Sequence, residues 1–268
     1  LASFLASALA DDVFSSPAQH SGPEVLLGIY AYAAQLYVDF SGYTDMALGV
    51  ALLLGIHLPE NFDRPYAAAS ITEFWTRWHM TLSRWLRDFV FTPLARHSRP
   101  TTAATCRNLV VVMLLAGLWH GAAWTFVAFG AVHGVALALE RVARQHRRAR
   151  EQPRRDTIGW RVGRWLLTFH VVCLGWVFFR AESMTGAGDV LARLASGWGS
   201  PPQVSALLAA TLVAVLASQF VPRSLVDDAR GVLVRAPVAA TVAMAALALL
   251  VVDVLGPEGV APFIYFGF

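Results

Sequence analysis

The 268-residue sequence contains no lysine, and all 21 of its basic residues are arginines. This absence excludes mechanisms that need a lysine nucleophile or a lysine Schiff base. Charged residues of either sign are also few, at 15% of the chain, whereas soluble domains average about 25%. Hydrophobic residues make up 56% of the sequence. The composition therefore predicts a membrane protein rather than a soluble domain.

Cysteine is almost absent too. Cys106 and Cys173 lie far apart, at or within apolar segments, so we expect two small core residues rather than a disulfide framework or a cysteine metal site. The histidines show no HExxH spacing, and we predict no metal site. No signal-peptide pattern precedes the first apolar stretch, which begins at Leu1. We therefore expect the C-terminal part of a longer membrane protein.

Long apolar runs are abundant, and several approach the roughly 20 residues of a membrane-spanning helix. Some contain glycine or polar residues, which a bilayer tolerates where neighbouring helices or a wet cavity satisfy the backbone. We predict an all-α, multi-pass transmembrane helical bundle. The apolar runs cover residues 25–38, 46–56, 109–139, 165–179, 204–221 and 237–255.

Arginines are concentrated between two apolar runs, from Arg141 to Arg164. Between membrane spans such a cluster is typical of a cytoplasmic loop. We therefore expect the protein to lie in the plasma (inner) membrane, with loop 141–164 on the cytoplasmic side. We expect no nucleic-acid binding. Residues 222–236 then lie inside, and 11–24, 181–203 and the C-terminal tail with Glu258 lie outside. This count leaves open whether 109–139 spans once or turns back.

Residues 57–107 are more polar. His57–Tyr66 is a proline-bounded loop, and Ser70 and Glu73 form a capping-box pattern at the start of a helix. Its aromatic stripe and arginine-rich opposite face predict a re-entrant or interfacial amphipathic helix. At 100° per residue, His79 would lie beside Trp75 and Leu86. The stripe consists of Phe74, Trp75, Trp78, Leu82, Trp85, Leu86 and Phe89.

His120 and His133 are ionisable residues within an apolar run. Such residues are costly at bilayer depth and often mark a reaction site or a pathway. His120, crowded by Trp119, Gly121 and Trp124, is the better candidate for a general base. A core histidine bonded to a carbonyl is the structural alternative. On a continuous helix the two would be about 20 Å apart, too far to share a reacting atom.

Other candidate groups give weaker signals. Ser41 lacks the GxSxG context of a serine nucleophile. Asp39 and Asp45 face different directions on a regular helix. Hydrogen bonds to neighbouring helices are one interpretation of these carboxylates, and a polar funnel is the other.

Seven ordered motifs stand out along the chain: Tyr37–Ala47, Pro59–Phe62, Phe74–Ser83, Trp85–Phe89, Gly117–Gly121, Leu174–Glu182 and Pro262–Phe268. Together they resemble the membrane-bound O-acyltransferase family, in its bacterial branch that O-acetylates alginate and modifies teichoic acids. The similarity covers the chain from about residue 25 to its end, and we interpret residues 1–268 as one membrane-embedded domain.

The resemblance implies acyl transfer to hydroxyls of a cell-surface polysaccharide such as alginate. It implies that His120 is catalytic, that His79 lines the site, and that the helices surround a central funnel. We assign Trp119, Trp78 and Asp39 to substrate binding. No bound cofactor is expected; an acyl-CoA or acyl-carrier thioester would be the co-substrate. Membrane lipid and a periplasmic SGNH-type acetyltransferase are the expected partners.

Two other functions stay open at this point. A transporter or flippase for an acylated intermediate would use the histidines as a proton relay, although the paired repeats common in transporters are not visible. A non-catalytic scaffold for a periplasmic esterase is the third hypothesis.

Overall fold

The computed structural model describes residues 1–150 and 157–255. The predicted outer tail with Glu258 and the motif Pro262–Phe268 lie outside the described residues. Within them, every regular element is a helix, which confirms the predicted all-α class.

The helices differ widely in length. Two π-helical turns, Ala6–Ala10 and Leu86–Phe91, and two 3₁₀ turns, Pro17–Gln19 and Pro65–Ala67, connect some of the shorter ones. The α-helices are α1 Ala2–Leu5, α2 Asp11–Ser15, α3 Gly22–Leu53, α4 Ile71–Arg77, α5 Met80–Trp85, α6 Thr92–Arg96, α7 Thr102–His120, α8 Trp124–Ala149, α9 Ile158–Arg180, α10 Met184–Ser196, α11 Ala206–Ser218, α12 Arg223–Arg235 and α13 Val238–Leu255.

Helix α3 is a single helix of 32 residues, where the sequence shows two apolar runs. It begins at a full capping box, in which the Ser21 side chain accepts from the Glu24 amide and Glu24 accepts from the Ser21 amide. Gly42 lies within it without breaking it. Since the helix is continuous, Asp39 and Asp45 face different directions, as predicted.

Helices α7 and α8 form an antiparallel hairpin joined by Gly121–Ala123. Glycines allow the two backbones to approach closely. A Cβ on Gly117 would lie 2.1 Å from the Phe126 carbonyl oxygen, and one on Gly130 would lie 2.3 Å from the Met113 carbonyl oxygen. The run 109–139 therefore turns back, which settles the question that the sequence left open.

Three of the described helices, α7, α8 and α9, are long and apolar enough to cross a bilayer. Helices α11 and α12 meet that criterion only as a pair bent by 96°. The predicted helical membrane bundle is thus confirmed. Residues 222–236, expected to be a loop, contain the whole of α12.

The basic segment 141–164 was predicted to be a loop, but both of its ends are helical. Helix α8 continues to Ala149, and α9 begins at Ile158. Arg144 pairs with Glu140 one turn earlier, at 2.9 Å, and such i,i+4 pairs stabilise a helix. The arginines therefore extend the ends of two helices, and residues 151–156 lie outside the described part.

Candidate active site

The predicted amphipathic helix is broken at His79. Helix α4 ends at Arg77, Trp78 is extended, and His79 has a left-handed φ of 42° before α5 starts at Met80. This backbone region is uncommon for residues other than glycine. The prediction that one aromatic stripe continues from Phe74 to Phe89, with His79 beside Trp75 and Leu86, is therefore wrong.

The start of α4 follows the predicted capping pattern in part. The Ser70 hydroxyl accepts from the Glu73 amide at 3.1 Å. The Glu73 carboxylate, however, accepts from the amide of Ala69 at 2.9 Å rather than from that of Ser70. The same carboxylate pairs with Arg77 at 2.6 Å, so Glu73 stabilises both ends of this short helix.

Asn61 supports the break from outside the helix. Its backbone carbonyl accepts from the Met80 amide at 3.0 Å. Its Oδ1 lies 3.1 Å from the Thr81 amide nitrogen and 3.2 Å from His79 Nδ1. The first turn of α5 has free amides that need acceptors, and Asn61 supplies two of them. The orientation of His79 is thus set by a residue of the preceding loop.

His120 is the last residue of α7, at the tip of the hairpin. Its half-buried ring lies in an aromatic cage, with centroid distances of 4.9 Å to Trp119 and 4.8 Å to Phe179. Phe129 and Phe126 follow at 6.0 and 6.1 Å. Trp124, which was expected to crowd His120, is largely exposed.

Trp119 joins the two histidines. Its ring centroid lies 6.4 Å from that of His79 and 4.9 Å from that of His120, and the two imidazoles are close enough to interact electrostatically. Phe40 of α3 covers His79 at 4.9 Å. Two ionisable rings, one at a helix break and one at a helix end, therefore meet at a single tryptophan.

The other predicted binding residues have different surroundings. Trp119 is 61% exposed, but Trp78 is only 2% exposed. Trp78 packs at 5.0 Å against both Phe62 and Trp176, so its surroundings are those of a core residue, and its role in substrate binding stays a prediction. Asp39 is half-buried in α3, and its role is likewise a prediction.

His133 is a core histidine. It is 0% exposed, and its Nδ1 lies 3.3 Å from the indole nitrogen of Trp75. Because an indole N–H can only donate, Nδ1 is the acceptor in this bond. A Cβ on Gly175 would lie 2.5 Å from His133 Nε2. The structural interpretation therefore fits His133, while His120 lies in the separate aromatic cage.

Two cavities flank the segment that carries His79. One, of about 400 Å³, is mostly apolar and lies between α4, α5, α7 and α8, with Met80 and Arg84 in its wall. The other, of about 320 Å³, is polar; Ser41 and Asp45 line it together with Asn61 and Arg223. Neither has His120 in its wall, so a central funnel that reaches both histidines stays a prediction.

Charges in the polar cavity fasten α12 to the loop that carries Asn61. Arg223 contacts Asp63 at 2.8 Å, and Arg64 donates to the Val221 carbonyl at 3.1 Å. Burial alone raises the pKa of Asp63, but the hydrogen bond from Arg64 and the charge of Arg223 outweigh it and lower that pKa. The loop is thus held by Asn61 on its buried side and by Asp63 and Arg64 on the side that faces α12.

Burial lowers the pKa of His79 from 6.5 to about 4. A depressed pKa means that the unfolded chain binds the proton more tightly. We therefore expect the free energy of unfolding in detergent to have its full value above pH 6.5 and to decrease as the pH falls toward 4. Thermal unfolding midpoints across this range would measure it. A His79→Gln variant should show a shallower decline, and an identical decline would contradict the assignment to His79.

Sequence reasoning missed several residues of this site. Phe126 and Phe129 reach His120 only because the chain turns at Gly121, and Phe179 comes from α9. Asn61 was visible only as part of the Pro59–Phe62 motif, with no role attached to it.

Comparison with known proteins adds a family. The model of the membrane-bound O-acyltransferase family matches residues 12–178. Over 188 residues the chain is 47% identical to a protein named probable alginate O-acetylase from Azotobacter vinelandii. The aligned residues make up 70% of the chain and 36% of that relative. The chain is 44% identical over 161 residues to the peptidoglycan O-acetyltransferase of Helicobacter pylori, covering 60% and 29% respectively.

A third relative is the teichoic acid D-alanyltransferase of Bacillus subtilis, 32% identical over 170 residues that make up 59% of the chain and 41% of that protein. The chain thus spans about a third of the length of the curated relatives it matches. The family match includes both histidines, the α7–α8 hairpin and most of α9. This chain therefore belongs to the membrane-bound O-acyltransferase family.

Proposed function

We propose that this chain carries the acyl-transfer centre of a membrane-bound O-acyltransferase, with His120 as general base. The observation that carries the proposal is the meeting of two imidazoles at Trp119. They come from separate segments of a chain in this family. A histidine has a pKa suited to taking a hydroxyl proton near neutral pH.

The reaction forms an ester and releases a thiol. The acceptor hydroxyl oxygen attacks the carbonyl carbon of an acyl thioester, and His120 takes the hydroxyl proton. The carbon–sulfur bond then breaks, and the leaving sulfur receives that proton from the His120 imidazolium. His79 contacts either the acceptor or the carbonyl oxygen. The aromatic cage of Phe126, Phe129 and Phe179 limits water near His120, which disfavours hydrolysis of the thioester.

The thioester donor, acyl-CoA or an acyl carrier, enters from the side of the basic helix ends. The arginines of residues 141–150 offer cations to its phosphates. By the positive-inside rule we assign them to the cytoplasmic side of the plasma membrane. Because α7 and α8 are antiparallel, the tip of the hairpin that carries His120 then faces the opposite side of the membrane, where an acceptor arrives.

The acceptor is a hydroxyl group of a cell-surface polysaccharide. The names of the relatives support this class, since they refer to alginate, peptidoglycan and teichoic acid. An acetyl group is the proposed acyl group. A periplasmic SGNH-type acetyltransferase is the proposed partner that completes delivery to the polymer.

The test is an acyl-transfer assay with the full-length protein in lipid vesicles. An isotope-labelled acetyl thioester is supplied on one side and a polysaccharide acceptor on the other, and ester formation is measured. We expect labelled ester together with one equivalent of free thiol. Movement of label across the vesicle without thiol release would instead support a transporter. Ester formation by the periplasmic partner alone would support a scaffold.

A further inference from the structure

Asn61 lies at the point where the chain must replace lost helical hydrogen bonds. The break at His79 leaves the amides of Met80 and Thr81 without acceptors in their own helix. The Asn61 carbonyl accepts from the first, and Asn61 Oδ1 lies 3.1 Å from the second. Asn61 itself is buried, so both contacts are largely shielded from water.

The contact with the Thr81 amide identifies the atom that His79 faces. The oxygen and nitrogen of an asparagine amide are hard to tell apart by position alone. A backbone N–H can only donate, so the Asn61 atom beside it is the oxygen. The Thr81 hydroxyl also donates to that oxygen, at 2.9 Å.

The protonation state of the ring follows from this. His79 Nδ1 lies 3.2 Å from Asn61 Oδ1, and an amide oxygen only accepts hydrogen bonds. Nδ1 also lies 3.4 Å from the Thr81 hydroxyl oxygen, but that hydroxyl donates its one proton to Asn61 Oδ1 and can only accept from the ring. Nδ1 therefore carries the proton. In a neutral imidazole the other nitrogen, Nε2, then has a lone pair and no proton.

We infer that Asn61 is a positioning residue that fixes His79 as the Nδ1–H tautomer, so that His79 Nε2 accepts a hydrogen bond from an acceptor hydroxyl next to the one that reacts. This inference rests on the proposed function and chooses between the two contacts left open for His79. A nitrogen without a proton cannot stabilise the negative charge that develops on the carbonyl oxygen. The acceptor is a polysaccharide, and a neighbouring hydroxyl of it can donate to this nitrogen. Both histidines thus serve the acceptor: His79 holds the neighbouring hydroxyl, and His120 removes the proton of the hydroxyl that reacts.

The first measurement needs no activity. Nitrogen-15 NMR of ring-labelled histidine in the detergent-solubilised protein reports which ring nitrogen is protonated, and a His79→Gln variant assigns the signal. We expect His79 to be protonated at Nδ1 in the wild type and to become a mixture of tautomers in Asn61→Ala. A wild-type His79 protonated at Nε2 would overturn the inference and leave the proposed role of His120 untouched.

Kinetics provide the second measurement. Asn61→Ala should raise the KM for the acceptor roughly tenfold and leave the KM for the thioester donor unchanged. Asn61→Asp keeps an oxygen that accepts from both Thr81 and His79, so it should restore acceptor binding and shift the acidic limb of the pH profile upward. A purely structural role predicts that Asp, a buried charge, is as damaging as Ala.

A matched control is available in α7. Asn108 is another buried asparagine, and its bonds go to Arg107 and Ser98. Asn108→Ala should lower thermal stability but leave both the His79 tautomer and the acceptor KM as in the wild type. An equal change in acceptor KM in Asn108→Ala would show a general loss of packing and contradict the role of Asn61.

Discussion

Replacement of His120 by alanine is expected to lower the rate of acyl transfer by about 10²- to 10⁴-fold, the usual contribution of a general base. The hydroxyl would then have to attack without its base, because Phe126, Phe129 and Phe179 around His120 cannot take a proton and His79 Nε2 is assigned to a neighbouring hydroxyl. The loss should appear in kcat, with the KM of the thioester donor little changed. Initial rates in lipid vesicles at saturating donor measure it.

Removal of the imidazole also leaves space among Phe129 and Phe179. A His120→Gln variant fills more of this space and still lacks a ring nitrogen that can take the hydroxyl proton, so it should be nearly as inactive as His120→Ala. His146, exposed near the end of α8, is the control, and His146→Ala should keep wild-type rates. Substantial transfer by well-folded His120→Gln would reject His120 as the base.

Alanine at both Gly117 and Gly130 is expected to separate the α7–α8 hairpin and to abolish activity with it. The new methyl groups would lie 2.1 and 2.3 Å from backbone carbonyl oxygens, and a backbone atom cannot move aside as a flexible side chain can. Overpacking of this kind costs about 1–3 kcal/mol at each site, occasionally more. Thermal midpoints in detergent and the yield of protein inserted in membranes measure the effect.

The same substitution can be made where space is open. A Cβ on Gly163 of α9 would meet no atom of another described segment within 4 Å. Gly163→Ala should therefore leave the midpoint unchanged or raise it slightly, because alanine favours helix more than glycine does. The inactivity of the hairpin variant has a direct cause, since His120 follows Gly117 by less than one helical turn. Equal midpoints for the double variant and the wild type would contradict the close packing of the hairpin.

Local features of this protein were predictable because they depend on neighbours in the chain. Ser70 accepts from the Glu73 amide as its spacing indicates. The apolar runs form helices because a bilayer requires the backbone to satisfy its own hydrogen bonds. His120 and His79 were identifiable as candidates from motifs that lie close around them in sequence.

Features that depend on distant contacts were not predictable. Periodicity alone continues a helix through His79, and the break there depends on Asn61, a residue of another segment. Likewise, the spacing of His120 and His133 in the sequence predicts that they are far apart. It does not predict that Phe179 packs against His120 and Gly175 against His133, because both contacts come from α9.

The sequence by itself determined that this protein is an all-helical membrane protein with histidines in apolar surroundings, because composition and hydrophobic runs fix both properties locally. Only the tertiary structure decided that His79 and His120 meet at Trp119. That meeting requires a helix break held by Asn61 and a tight hairpin at Gly121, and each depends on contacts between residues that belong to different elements.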